Sequence, residues 1–220
     1  MIRALLQAVL SRQLYCILIF CAACADAPER QCASAPAVEA GTLGAVATQH
    51  CLRMGTFFFE AKGAPGENRA PFNHALREFD MYILPVFLRL VQPEEDQFDF
   101  AMPDAVADSA PPGAVFYIPG FSNDLIPDWL QNGNYSGEQL KNILIKYVRT
   151  VTEHFASKYP DRVIAYEVVL EPLSWNIVPG QGPLGFWHKI GIDAGLDQYE
   201  YIRIAFRTAR QAAPRGRLYL

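Results

Sequence analysis

"SGEQLKNILIKYVRTVTEHFASKYPDRVIAYEVVLEP", residues 136–172, changes its repeat part-way through. Leu140, Ile143, Leu144, Tyr147, Val148, Val151 and Phe155 recur at helical spacing, and Ser136 offers a hydroxyl to cap the first turn. "RVIAYEVVLEP" (162–172) then reads as a buried strand that ends on an acid, Glu171, followed at once by Pro172. A long helix leading directly into a buried strand is one unit of an α/β chain.

The neighbouring segments repeat that unit. "GAVFYIP" (113–119) is a continuously apolar strand, the kind buried on both faces of a sheet. "DQYEYIRIAFRTARQAAP" (197–214) is a helix with Tyr201, Ile204, Ala205 and Ala209 on one stripe, and "RGRLYL" begins another strand. Upstream, "MGTFFFEA" (54–61) reads as a short strand and "GAPGENRAP" (63–71) as a polar loop. "NHALREF" gives one or two helical turns before "MYILPVFL" (81–88), an apolar run broken by Pro85. "PEEDQFDF" is an acidic turn and "AMPDAVADSA" a weak helix. Alternating strands and helices with short polar connections predict a parallel sheet with helices outside, either open or closed into a barrel. In both forms ligands meet the carboxyl ends of the strands, which is where Glu171 stands.

Composition narrows the function. The chain has 220 residues, 51% of them apolar, enough for a sizeable core. Its net charge of −4 provides no broad basic face for a phosphate backbone, so nucleic acid is not an expected partner. Arg3 and Arg12 precede the apolar run "LYCILIFCAACA" (14–25), too short for a comfortable membrane span. Residues 1–25 are therefore expected to be a secretory signal cleaved after Ala25, its "CAAC" ending being a poor lipoprotein box that leaves a lipid anchor as the variant reading. An uncleaved N-terminal anchor or a misassigned start is the other alternative. Residues 26–51, rich in Ala, Pro and Gly, are expected to form a low-complexity leader, with the folded domain over 52–220. Export would leave Cys32 and Cys51 as the thiols of an oxidising compartment, able to pair. They have no His cluster beside them, and no metal or cofactor is expected.

A strand-end Glu flanked by Val168, Val169 and Leu170 is expected to be partly desolvated, which raises the pKa of a carboxyl and suits it to give a proton near neutral pH. Trp175 and Trp187 follow it in sequence, while Trp129 and Tyr135 follow the preceding strand. Aromatic rings stack on the C–H faces of sugars, so an acid among aromatics points to glycoside chemistry. The plainer reading is that the Glu holds a loop or pairs with an Arg, and that the aromatics pack. Other catalytic classes find less support: there is no Gly-rich phosphate loop and no GxSxG elbow, and His50, His74, His154 and His188 have no ligand spacing.

"IPDWL", the helix and strand quoted first, "FWHKIG" and "YIRIAFRTARQAAPRGRLYL" resemble, in this order, the middle of a family 10 glycoside hydrolase, the endo-1,4-β-xylanase family. "EFDMYILP" and "QPEEDQFDFAMPDAVADSA" are similar to the family's segment around its second and third strands. The resemblance covers about residues 52–220 and is strongest from Asp124 onwards. It implies a (β/α)8 TIM-barrel type of α/β fold, of which the N-terminal half to five-eighths is present, and hydrolysis of xylan-like β-1,4-linked polysaccharide with retention. Retention uses two carboxyls roughly 5 to 5.5 Å apart. The family's acid/base motif Trp-Asp-Val-Val-Asn-Glu falls on Tyr166, Glu167, Val168, Val169, Leu170 and Glu171, so the resemblance implies an acid/base role for Glu171. A secreted or cell-envelope location follows from the signal.

The departures are chemical. Leu170 replaces an Asn that hydrogen-bonds the sugar, "LPVFLRL" (84–90) lacks the family's Glu-Asn and Lys, and no His lies between His74 and His154. No position matches the nucleophile, and the chain is expected to stop within a fifth strand, leaving an apolar edge. A catalytically impaired polysaccharide-binding relative and a hydrolase of the same barrel clan acting on another glycan are the alternative expectations.

Overall fold

The computed structural model describes residues 39–57, 70–122, 125–172 and 185–220. They fall into two compact units, one holding the described residues up to Ile83 with Ala110–Ala114, the other Leu84–Ser109 with Val115–Leu220.

The first unit is α1 (Leu43–Gln49), β1 (Gly55–Phe57), α2 (Ala70–Glu78) and β2 (Met81–Ile83), with β1 and β2 paired in parallel through Gly55 and Met81. Composition alone suggested an unstructured leader up to Cys51, yet Leu43–Gln49 is helical. The reason lies in its first turn, where the Thr42 hydroxyl accepts from the Ala45 N–H and the Glu78 carboxylate accepts from the Leu43 N–H at 3.2 Å. Small residues, Gly44 and Ala47, are what the helix buries, so the composition of a linker also serves close packing. Asp80 joins the strands: its fully buried carboxylate meets Arg53 at 3.0 Å and accepts from the Met54 N–H at 3.1 Å. Burial raises its pKa, and the Arg53 charge with the backbone bonds pulls it part of the way back. Cys51 is disulfide-bonded. Its expected partner Cys32 lies outside the described residues, as do the signal segment and the loop from residue 63 to 69.

The second unit contains α3 (Leu88–Val91), α4 (Ala101–Ser109), β3 (Val115–Ile118), α5 (Asp128–Gln131), α6 (Gly137–Lys158), β4 (Val163–Glu167), a 3-10 turn (Phe186–His188), α7 (Lys189–Asp193), α8 (Glu200–Ala212) and β5 (Leu218–Tyr219). β4 pairs in parallel with β3 on one side and β5 on the other. α6 starts with a full capping box, in which the Ser136 hydroxyl accepts from the Gln139 N–H and the Gln139 side chain accepts from the Ser136 N–H. Of its predicted stripe, Leu140, Leu144, Tyr147, Val148, Val151 and Phe155 are buried and Ile143 is half-buried, while all four residues of β3 are buried.

Helices α4 and α6 are tied by charge as well. Asp104 lies 2.9 Å from His154 and 3.0 Å from Lys158, and the His154 ring stacks on Phe100 at 3.8 Å. Burial alone would raise the Asp104 pKa, but the hydrogen bonds and charges of His154 and Lys158 outweigh it and hold the carboxyl below its usual range. Among the described residues no helix is long and apolar enough to cross a membrane.

Two substitutions on α6 separate capping from burial. Ser136→Ala removes the cap and is expected to cost about 1 kcal/mol in chemical denaturation. Tyr147→Phe removes a buried hydroxyl that has no hydrogen-bond partner among the described residues, and is expected to leave the midpoint unchanged or raise it.

Candidate active site

The face on which each strand residue lies is set by a register shift between β3 and β4. Phe116 is opposite Val163, but Tyr117 is opposite Ala165 and Ile118 opposite Tyr166, so one residue of β4 is passed over. Phe116 meets Tyr159, the residue that caps the end of α6, edge-on at 5.3 Å, and Ile118, Tyr166 and Val168 line a cavity with Tyr147 and Val151 of α6. Alternation then turns Tyr117, Ala165 and Glu167 to the opposite face. There the Tyr117 hydroxyl donates a hydrogen bond to the Glu167 carboxylate, and Glu167 stands in register with Tyr219 of β5.

Beyond β4 the chain stays tied to β3. Phe121 and Val169 form a bridge, and the Leu170 N–H donates to the Phe121 carbonyl at 2.9 Å. The approach depends on Gly120, since a Cβ there would strike the Glu167 carbonyl and the Val168 backbone. The next residue, Glu171, turns sharply. Its φ is +47°, a left-handed conformation that costs a residue with a Cβ roughly 1–2 kcal/mol, and a following proline disfavours helical backbone further.

Glu171 is thus placed at the carboxyl end of a buried strand, as expected, but its side chain is exposed rather than desolvated. The sharp turn carries it clear of the apolar run that precedes it. The desolvation expected of it falls on Glu167, where burial pushes the carboxyl up to about 7, the Tyr117 hydrogen bond opposes the rise, and the nearby Glu171 charge adds to it. In the sequence Glu167 stands out only as one residue of the motif that ends at Glu171. Counting by twos places it on the face of Ala165, and only the register with β3 shows that Tyr117 shares that face.

The aromatics divide. Trp187 is fully buried, with its indole N–H donating to the Ser122 carbonyl at 3.1 Å and its ring edge-on to Phe121, so it is core. Trp129 is half-buried, donates to the Gln92 carbonyl at 3.1 Å and meets Tyr135 edge-on. Trp175 lies outside the described residues. His188 is buried between Tyr199 and Tyr201, and that burial lowers its pKa. Among the described residues no three or more His, Cys, Asp or Glu side chains are grouped to hold a metal ion.

The profile of glycosyl hydrolase family 10 matches residues 87–220. The chain belongs to that family. Its curated relatives include endo-1,4-β-xylanase A of Phanerodontia chrysosporium, 27% identical over 136 residues that make up 59% of this chain and 29% of the relative. Endo-1,4-β-xylanase A of Humicola insolens is 26% identical over 179 residues, 74% of this chain and 44% of the relative. Among solved structures, xylanase 10B of Thermotoga petrophila in complex with xylobiose aligns at a TM-score of 0.64 and 20% identity, covering 83% of this chain and 53% of its own. Endo-1,4-β-xylanase XylE of Penicillium canescens aligns at 0.63 and 16%, covering 81% and 52%. The chain therefore spans about half the length of these solved structures and less than half of the curated relatives. Its parallel strands and intervening helices have the α/β barrel-type fold of family 10.

Gly120→Ala tests the close approach that positions Glu171. Forcing a methyl group between β3 and β4 is expected to cost about 1–3 kcal/mol, read as a lower denaturation midpoint with an unchanged slope.

Proposed function

We propose that the protein is a xylanase-type glycoside hydrolase acting on β-1,4-linked plant polysaccharide with retention, and that Glu171 is its acid/base. The observation that carries this reading is the strained backbone of Glu171. A non-glycine residue held at positive φ before a proline persists only where surrounding contacts impose it, and such outliers concentrate at functional sites. Here the contacts are those of the β3–β4 end, and they deliver an exposed carboxylate to the side of the sheet where ligands bind. Family membership supports glycoside hydrolysis, and the names of the relatives support xylan as substrate. In such a reaction one carboxyl protonates the leaving oxygen while a second attacks the anomeric carbon. A disulfide-bonded Cys51 supports export to an oxidising compartment, the location proposed here.

Leu170 favours a second reading. Its backbone is held by Phe121, but its side chain has no polar atom to offer a sugar hydroxyl, a contact that elsewhere can be worth about 1–3 kcal/mol when buried and left unmade. A polysaccharide-binding relative, or a hydrolase with a different glycan, would have this feature. Release of reducing ends from xylan, measured beside xylan affinity, separates the readings. Glu171→Gln is expected to cut turnover by about 10²–10⁴-fold while leaving affinity nearly unchanged. Unchanged turnover would remove Glu171 from the mechanism, and binding without any reducing ends in the unmodified protein would favour the binding relative.

A further inference from the structure

The net charge of −4 conceals a local excess of the opposite sign: after Glu200 the sequence carries five arginines and no acidic residue. Arg203, Arg207 and Arg210 stand on successive turns of α8, and all three are exposed. At about 100° per residue they share one narrow arc, opposite the buried Tyr201, Ala205 and Ala209. The strip runs about 10 Å along the helix axis. It continues past the helix end, because the Arg210 guanidinium donates to the Pro214 carbonyl at 2.9 Å and to the Gly216 carbonyl at 2.8 Å. Those bonds hold the turn that carries the exposed Arg215. Arg217, whose carbonyl accepts from the Tyr166 N–H, belongs to the sheet and not to the strip.

Helix stability does not account for this arrangement. The helix dipole favours a cation in the last turn, which suffices for Arg210. Arg203 stands near the other end, where the dipole does not favour a cation, and like charges three and four residues apart repel. Glu200 offsets Arg203 at 2.6 Å, while among the described residues no carboxylate pairs with Arg207 or Arg215. We propose that this face of α8 binds a polysaccharide bearing uronate carboxylates, at a place distinct from Glu171. A guanidinium donates two parallel N–H bonds to one carboxylate, and a row of them engages several carboxylates of one chain at once. The choice of a glycan as the anion rests on the polysaccharide reading of the candidate active site; the charged strip does not. A nucleic acid fits less well, since so few cations neutralise few phosphates and the chain as a whole has the sign of the phosphate backbone. The opposite side of α8 is the packed one, where Ala209 lines the cavity with Ile118 and Tyr166. A glycan held on the outer face therefore leaves the strand-end carboxylate open and keeps further polysaccharide within its reach.

The test is affinity electrophoresis of the whole chain through gels containing polygalacturonate, its methyl ester or short duplex DNA, at low and at physiological salt. Polygalacturonate is expected to retard the protein, the neutral ester is not, and the retardation should decline as salt rises. Arg207→Gln combined with Arg215→Gln should weaken the binding about tenfold or more with an unchanged melting temperature. Arg207→Lys combined with Arg215→Lys should restore part of it, because the charge returns without the fork. Arg210 is left in place, since it also holds the turn. Absence of retardation by polygalacturonate, equal retardation of the Gln pair, or tighter retention by DNA overturns the inference. Release of reducing ends from xylan is followed on the same protein. Retention without hydrolysis discards the hydrolase reading and keeps the strip, whereas hydrolysis without retention discards the strip alone.

Discussion

The one-residue register shift between β3 and β4 is the constraint on which the described site depends. Before it, Phe116 and Val163 are opposed; after it, Tyr117 and Ala165 are, and then Ile118 and Tyr166. That step brings apolar residues of both strands to the helix side together, where Tyr147 and Val151 of α6 meet them. It also brings Tyr117 and Glu167 to a common face. Without the shift, side-chain alternation would send a carboxylate towards the helices or a tyrosine hydroxyl away from its partner, and either error buries an unpaired polar group.

The close contact at Gly120 extends that alignment past the formal end of β4. The residue has no side chain, so β3 and β4 run together long enough for Phe121 to accept from Leu170. The turn at Glu171 is then fixed at its root by hydrogen bonds instead of by its own side chain, which leaves the carboxylate exposed. An exposed acid that follows a half-buried one in the chain is the outcome.

Much of this was legible in the residues, for reasons that vary by element. α6 declared itself through the Ser136 cap and a stripe that recurs from Leu140 to Phe155, all local features. β3 and β4 declared themselves through continuous apolar runs. α1 was not legible, because Ala and Gly are read as linker when their partners are unknown, and the Glu78 carboxylate that completes its first turn is distant in sequence. The exposure of Glu171 was not legible either, since apolar neighbours in sequence say nothing of a backbone that reverses at that point. Glu167 was hidden for the opposite reason: a charged letter in a strand reads as solvent-facing until the neighbouring strand shows which face is which. Trp187 and Trp129 could equally have been core or platform from sequence, and only their bonds to Ser122 and Gln92 assign them to packing.

The left-handed backbone at Glu171 has a consequence for any directed evolution of this protein. Glycine or asparagine relaxes such a conformation, so selection for heat resistance would be drawn to this codon. Replacements of that kind erase the carboxylate. If Glu171 is the acid/base proposed above, a library screened for robustness alone would enrich chains that have lost it, and only a screen that demands turnover in the same round would keep it in place.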